Sequence, residues 1–261
     1  MKKTIGVLAL AVFLFPMFGF SDGSLTFRIG YFSPSASSDL WDIEFQNMSF
    51  TKSDFASASF GFSYEYFMTR EISLVIGADY YGRSQTGYYR DWVGYTIDDY
   101  DYAFPYANFD GDFDLVHEFR TSISPLQMSL KFLPLGRRGA IIPYLGGGVS
   151  FYLWSIALQG DLVDFEDQYV YEDADLGDVD VYGVYLADAH QHTKLSVGFH
   201  GFAGIMIPIA RMTAIEAEFK YHYGKGTFSA SDETRYEEGF AGFDQFDLGG
   251  WQVTVGINYW F

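Results

Sequence analysis

The chain has 261 residues, with Lys+Arg 16 against Asp+Glu 34, a formal charge of −18 at pH 7, no cysteine, 28 glycines and 20% aromatic residues. Lack of cysteine excludes disulfides, thiolate metal sites and a cysteine nucleophile, and the acidity repels phosphates, so no nucleic acid is expected as a partner. So many aromatics and glycines together argue against a helix bundle.

Lys2 and Lys3 precede an almost wholly apolar run from Ile5 to Phe20, and Asp22 is the first acid. This is the layout of a secretory signal peptide over 1–21, with Gly19 and Ser21 as the small residues before the cut. A membrane anchor fits less well, because the run is short, Pro16 interrupts it and no basic flank follows. Residues 1–21 hold two lysines and no acid, so their removal takes the charge from −18 to −20. No later segment has the ~20 apolar residues of a membrane helix, so a membrane could be crossed only by strands.

Residues 22–261 read as one domain built on alternation, the strand period. The first strand, about 24–33, sets Leu25, Phe27, Ile29 and Tyr31 against Thr26, Arg28 and Gly30. In the second, Ala58, Phe60, Phe62, Tyr64 and Tyr66 oppose Ser59, Gly61, Ser63 and Glu65. The third sets Ile72, Leu74, Ile76, Ala78 and Tyr80 against Ser73, Gly77 and Asp79. Further strands fall at about 118–133 (Lys131 on the polar face), 141–154, 194–207, 213–224 (Glu216, Glu218 and Lys220 on the polar face) and 249–261. The links at about 67–71, 134–140 and 208–212 are short; those at about 34–54, 82–117, 155–193 and 225–248 are long. Short turns on one rim and long loops on the other predict an all-β, eight-stranded antiparallel up-and-down transmembrane β-barrel. A soluble barrel would turn its apolar face inward. Here the polar face is rich in glycine and serine and suits a narrow bore, while the bulky aromatic face suits lipid. Tyr64, Tyr66, Tyr80, Trp154, Tyr221, Tyr223, Trp251, Tyr259 and Phe261 near strand ends are expected to form interfacial girdles.

At the C-terminus Val253, Val255, Ile257, Tyr259 and Phe261 alternate up to a terminal aromatic. This resembles the signature by which bacterial outer-membrane barrels are recognised by their assembly machinery. GYFSPS (Gly30–Ser35) with DLW (Asp39–Trp41), SPLQMSLKFLPLGRRG (Ser124–Gly139), PYLGGGVSFY (Pro143–Tyr152) and FAGFDQFDLGGW (Phe240–Trp251) are similar to the small outer-membrane β-barrel family, related in architecture to OmpA, OmpX and OmpW. The resemblance covers nearly all of 22–261 and implies a bacterial outer-membrane location. It implies outer-membrane lipid, lipopolysaccharide and, during biogenesis, the barrel-assembly machinery as partners. It implies no particular activity.

Seven charges fall on the bore face: Arg28, Glu65, Asp79, Lys131, Glu216, Glu218 and Lys220. An ion path and a plug of mutually paired charges are the two readings. The plug is favoured, since eight strands leave room for little more than their own side chains and buried charge must be paired or hydrated. Among the loop acids, Asp110, Asp112 and Asp114 resemble the start of an EF-hand loop but lack its glycine and its closing glutamate. Asp173, Asp175, Asp178 and Asp180 are the other divalent-cation candidates, and His190 and His192 beside Asp188 are a transition-metal candidate. A solvated acidic surface is the plainer account, and no cofactor is expected. Tyr169 to Tyr185 alternates like a hairpin with a turn near Leu176–Asp178. Outer-membrane lipid A deacylases use a His-x-Ser pair, and His222 and His200 are followed by Tyr223-Gly224 and Gly201-Phe202. No nucleophile–base–orienter set can be assembled, so no enzymatic role is expected. The leading expectation is a monomeric envelope barrel with a largely filled polar bore. The alternatives are a narrow channel for small or hydrophobic solutes, and surface adhesion or ligand binding through acidic, tyrosine-rich loops.

Overall fold

The computed structural model describes residues 22–228, 240 and 242–261. The predicted signal peptide at 1–21, and 229–239 and 241 of the fourth long link, lie outside them. Eight strands close into an antiparallel ring: β1 (Gly23–Pro34), β2 (Ser57–Phe67), β3 (Ile72–Tyr88), β6 (Val116–Phe132), β7 (Ile142–Asp173), β8 (Gly177–Ala210), β9 (Thr213–Thr227) and β11 (Gly250–Trp260). The seam pairs β1 with β11, from Ser24 opposite Trp260 to Pro34 opposite Gly250. Three short strands stand outside the ring: β4 (Trp92–Ile97), β5 (Tyr100–Pro105) and β10 (Gln245–Asp247).

Side-chain exposure settles which face is which. Along β9, Glu216, Glu218, Lys220 and His222 are buried, while Ile215, Phe219, Tyr221 and Tyr223 are exposed. The same inversion holds around the ring: Phe27 is 64% exposed and Ile257 60%, whereas Arg28 is 6% and Asn258 0%. A water-soluble barrel would hide the first pair and display the second, so this is a barrel made for hydrocarbon. Closure leaves no sheet edge in lipid. Bulk is excluded from the inner face where strands coil closely. A Cβ on Gly148 would stand 2.0 Å from the Met128 carbonyl oxygen, and one on Gly30 2.0 Å from that of Val253.

The wall is uneven. A transmembrane strand needs about 9–11 residues, and β2 and β11 have 11 each. In contrast β3 and β6 have 17, β7 has 32 and β8 has 34. Those four form a half-wall that rises beyond the lipid. Much of the second and third long links is therefore strand: β3 runs on to Tyr88, β4 and β5 form a hairpin, and β7 and β8 stay paired up to Asp173 opposite Gly177. The hairpin turn lies at 174–176, with Gly177 at φ 77° beside it. The first long link carries helix α1 (Asp39–Asn47) and a 3-10 turn (Lys52–Phe55).

Two expected girdle residues are not at the surface: Tyr64, 4% exposed and stacked on the Phe261 ring, and Trp154. Trp154 is 1% exposed, because Leu153 takes the outward position on β7 and alternation turns Trp154 inward above the bore. Trp251 does face outward, and packs on Tyr31 at 5.9 Å on the outer face of the seam.

Candidate functional site

The bore is the candidate site, because every predicted bore charge converges there. Arg28, from β1, lies 3.3 Å from Glu218, 3.6 Å from Asp79 and 3.7 Å from Glu216. Lys220 stands 2.8 Å from Asp79, 3.4 Å from Glu218 and 2.9 Å from the Gln127 amide oxygen. Lys131 reaches Glu65 at 3.0 Å and Glu216 at 3.4 Å, over the Tyr144 ring. Period two aims these side chains inward, and the strand register brings them to neighbouring levels. Three cations and four carboxylates leave one negative charge. An eighth residue, unforeseen from the sequence, offsets it. Arg137, from the turn between β6 and β7, folds back to 3.6 Å from Glu65, donates to the Thr69 carbonyl and to Ser73 Oγ, and lies over the Phe67 ring. Its signal was a pair of arginines in a turn short enough to reach the bore.

Above the ion pairs the bore continues as hydrogen bonds between neutral groups. His200 sits between Ser129 Oγ at 2.6 Å and Ser150 Oγ at 2.8 Å. His222 meets Gln252 Oε1 at 3.2 Å, and the Gln252 amide donates to Ser59 at 3.0 Å. Two cavities interrupt the filling, each of about 10 Å³, room for about one water. One lies among the charges. The other is lined by Asp79, His222 and Gln252 on its bore side and by Tyr80 and Pro125 in the wall.

The polar column ends under an aromatic cap. Helix α1 lays Trp41, 0% exposed, across the mouth. Its ring centroid is 4.9 Å from Phe55, 5.1 Å from Phe119 and 5.1 Å from Phe246. Phe246 in turn stacks on Trp154 at 5.9 Å. Such rings bury 150–250 Å² each, which explains how loop segments stay fixed over the bore. Polar contacts hold the helix in place. Glu44 Oε2 lies 2.8 Å from His117 Nε2, both buried, and the Arg90 guanidinium donates to the carbonyls of Phe45 and Gln46 at the helix C-terminus. Beside His117 the Tyr89 hydroxyl accepts from the Val163 N–H, and burial raises that phenol above its ordinary range.

The acidic candidates do not converge. Asp173 caps its hairpin turn, accepting from the Asp175 and Leu176 N–H groups at 2.9 Å each. Asp178 and Asp180 pair along β8 with Glu172 and Val170. No group of three or more His, Asp or Glu able to hold an ion, around these or Asp110, Asp112 and Asp114, occurs among the described residues. His190 is 2.7 Å from Asp188, and its ring lies parallel to His192 at 6.2 Å. The loop tyrosines largely pack on other loop rings: Tyr102 meets Tyr169 at 5.3 Å, and Trp92 meets Tyr182 at 5.0 Å. On β11, Val253, Val255, Ile257 and Tyr259, with Phe261 after it, all face outward.

No family model matches the chain, and no curated protein matches it in sequence. Solved structures are similar to it in architecture. The outer membrane protein OprG from Pseudomonas aeruginosa is 13% identical, with 93% of this chain and 98% of that one covered, at a TM-score of 0.43. Neisserial surface protein A is 11% identical, with coverage of 92% and 97% and a TM-score of 0.40. The E. coli outer membrane protein W is 13% identical, with 92% and 98% covered and a TM-score of 0.38. At such identities and TM-scores the likeness carries nothing about the site, and the eight-stranded barrel stands on its own register.

Proposed function

We propose that the chain is an integral barrel of the bacterial outer membrane with a closed bore, serving the envelope as a structural element without catalysis. The aromatic cap over the paired bore charges carries this reading. An ion entering from the long-loop side would meet Trp41, Phe119 and Phe246, and one entering from the other side would meet Arg137 and the Lys131–Glu65 pair. The supporting expectations are a cleaved peptide over 1–21, recognition of the Val253-to-Phe261 pattern by the assembly machinery, a monomeric state and lipopolysaccharide around the belt. The test is conductance in planar bilayers. The purified protein is expected to give no steady porin-like steps, and a large ohmic conductance would overturn the reading.

A second reading, sideways passage of small apolar solutes, has one observation in its favour. The β3–β6 register skips from Ala78 opposite Leu126 to Tyr81 opposite Ile123, around Pro125, which has no N–H to give. The cavity beside it touches both bore and wall. Uptake of an apolar dye into proteoliposomes, compared with Pro125→Val, tests it. Equal uptake with and without the protein counts against it.

A further inference from the structure

The three short turns share a pattern that the closed bore does not explain. Each has a bulky apolar side chain in it or just before it, turned to the outside, and an arginine two or three residues later: Met68 with Arg70, Leu135 with Arg138, and, at the end of β8, Ile209 with Arg211. Leu135 is 69% exposed, Ile209 59% and Met68 56%, which matches the lipid-facing belt rather than turns in water. The three arginines are exposed and have no ion-pair partner among the described residues, whereas Arg137 in the same rim is turned inward onto Glu65. The rim is continuous with the lipid belt through Tyr259 and Phe261.

Height places these turns at a headgroup layer. From Tyr259 to Trp251 the chain advances about 27 Å at ~3.4 Å per residue. With a strand tilt near 40° this becomes about 21 Å of height, close to the ~25 Å apolar band of such barrels. The short turns follow at once below it. An apolar side chain there can enter the acyl boundary while a neighbouring guanidinium stays at phosphate level. Basic side chains at a membrane surface favour anionic lipid, and a guanidinium matches a phosphate in two-point geometry.

We propose that the short-turn rim is a docking surface for anionic phospholipid headgroups, bound by Arg70, Arg138 and Arg211 and anchored by Met68, Leu135 and Ile209. This rests on the membrane-barrel reading and adds a lipid class to it. The test compares the purified protein in phosphatidylcholine vesicles with and without phosphatidylglycerol, reading the urea midpoint of unfolding. Phosphatidylglycerol is expected to raise the midpoint, and added salt to erase the rise. R70Q/R138Q/R211Q is expected to lose the rise, and lysine at the same positions to keep part of it, the charge without the two-point match. Free glycerol phosphate added to phosphatidylcholine vesicles is expected to leave the midpoint unchanged. A flat wild-type response, a full rise in the glutamine variant or a rise with free glycerol phosphate each overturns the proposal. Conductance in the same vesicles reports the bore separately, so a closed bore without a lipid effect counts against the rim alone.

Discussion

Lys220 Nζ and Asp79 Oδ2 lie 2.8 Å apart on strands from opposite sides of the ring, with side chains 3% and 4% exposed. Breaking one partner of such a pair strands a buried charge. Asp79→Leu is expected to lower stability by about 3–5 kcal/mol, followed by urea unfolding in detergent micelles. Adding Lys220→Met is expected to recover part of the loss, since Arg28 keeps Glu216 and Glu218. A single variant as stable as the parent would show that water already screens the pair.

The cap is expected to yield separately from the ring. Trp41→Ala removes a fully buried ring from the loop cluster, a change of about 3–5 kcal/mol for a large aromatic. Limited proteolysis should then cut between residues 35 and 56 much faster, while the ring strands stay protected from cleavage. Unchanged cleavage would mean that the remaining rings hold the segment without Trp41.

Two glycines should respond oppositely to one methyl group. At Gly148 a Cβ would meet backbone at 2.0 Å; at Gly201 its nearest neighbour would be 3.9 Å away. Gly148→Ala is expected to cut the refolding yield into micelles sharply, because β6 cannot move aside without opening its ladder. Gly201→Ala should refold like the parent. Equal yields would sink the close-approach argument.

Alkali should loosen the cap through Tyr89. The folded state holds this phenol above its ordinary value because it is buried, so its contribution is complete below about pH 10. Above that the unfolded chain releases the proton while the folded chain retains it, and stability falls as pH rises toward the folded value. Tyr89→Phe is expected to flatten this fall, measured as the pH slope of the unfolding midpoint. An identical slope in the variant would assign the fall to other tyrosines.

The ring and its charges were legible because both follow from alternation. Arg28, Asp79 and Lys220 needed only a face assignment and a register to be set near one another. Arg137 was not legible, because a turn residue's direction depends on how the turn folds back, and period two says nothing there. Glu44 and His117, 73 residues apart, meet only after α1 has crossed the mouth. The reach of β7 and β8 was legible in part: alternation over 169–185 marks the outer hairpin, but not that 155–168 and 186–193 join it to the wall as unbroken strand. Trp154 was misplaced by residue type: tryptophan near a strand end fits an interfacial girdle, yet its parity with Tyr152 put it inside.

The seam joins the first and last strands of the ring, so Thr26 and Asn258 meet across nearly the whole chain. Every other adjacent pair joins ring strands that follow one another along the chain, but this junction has the largest loop-closure cost and the slowest search. Until it forms, β1 and β11 carry rows of unmet amides that hydrocarbon does not tolerate. Insertion is therefore an all-or-nothing commitment. A product cut short before β11 is expected to leave the β1 edge without its partner in hydrocarbon.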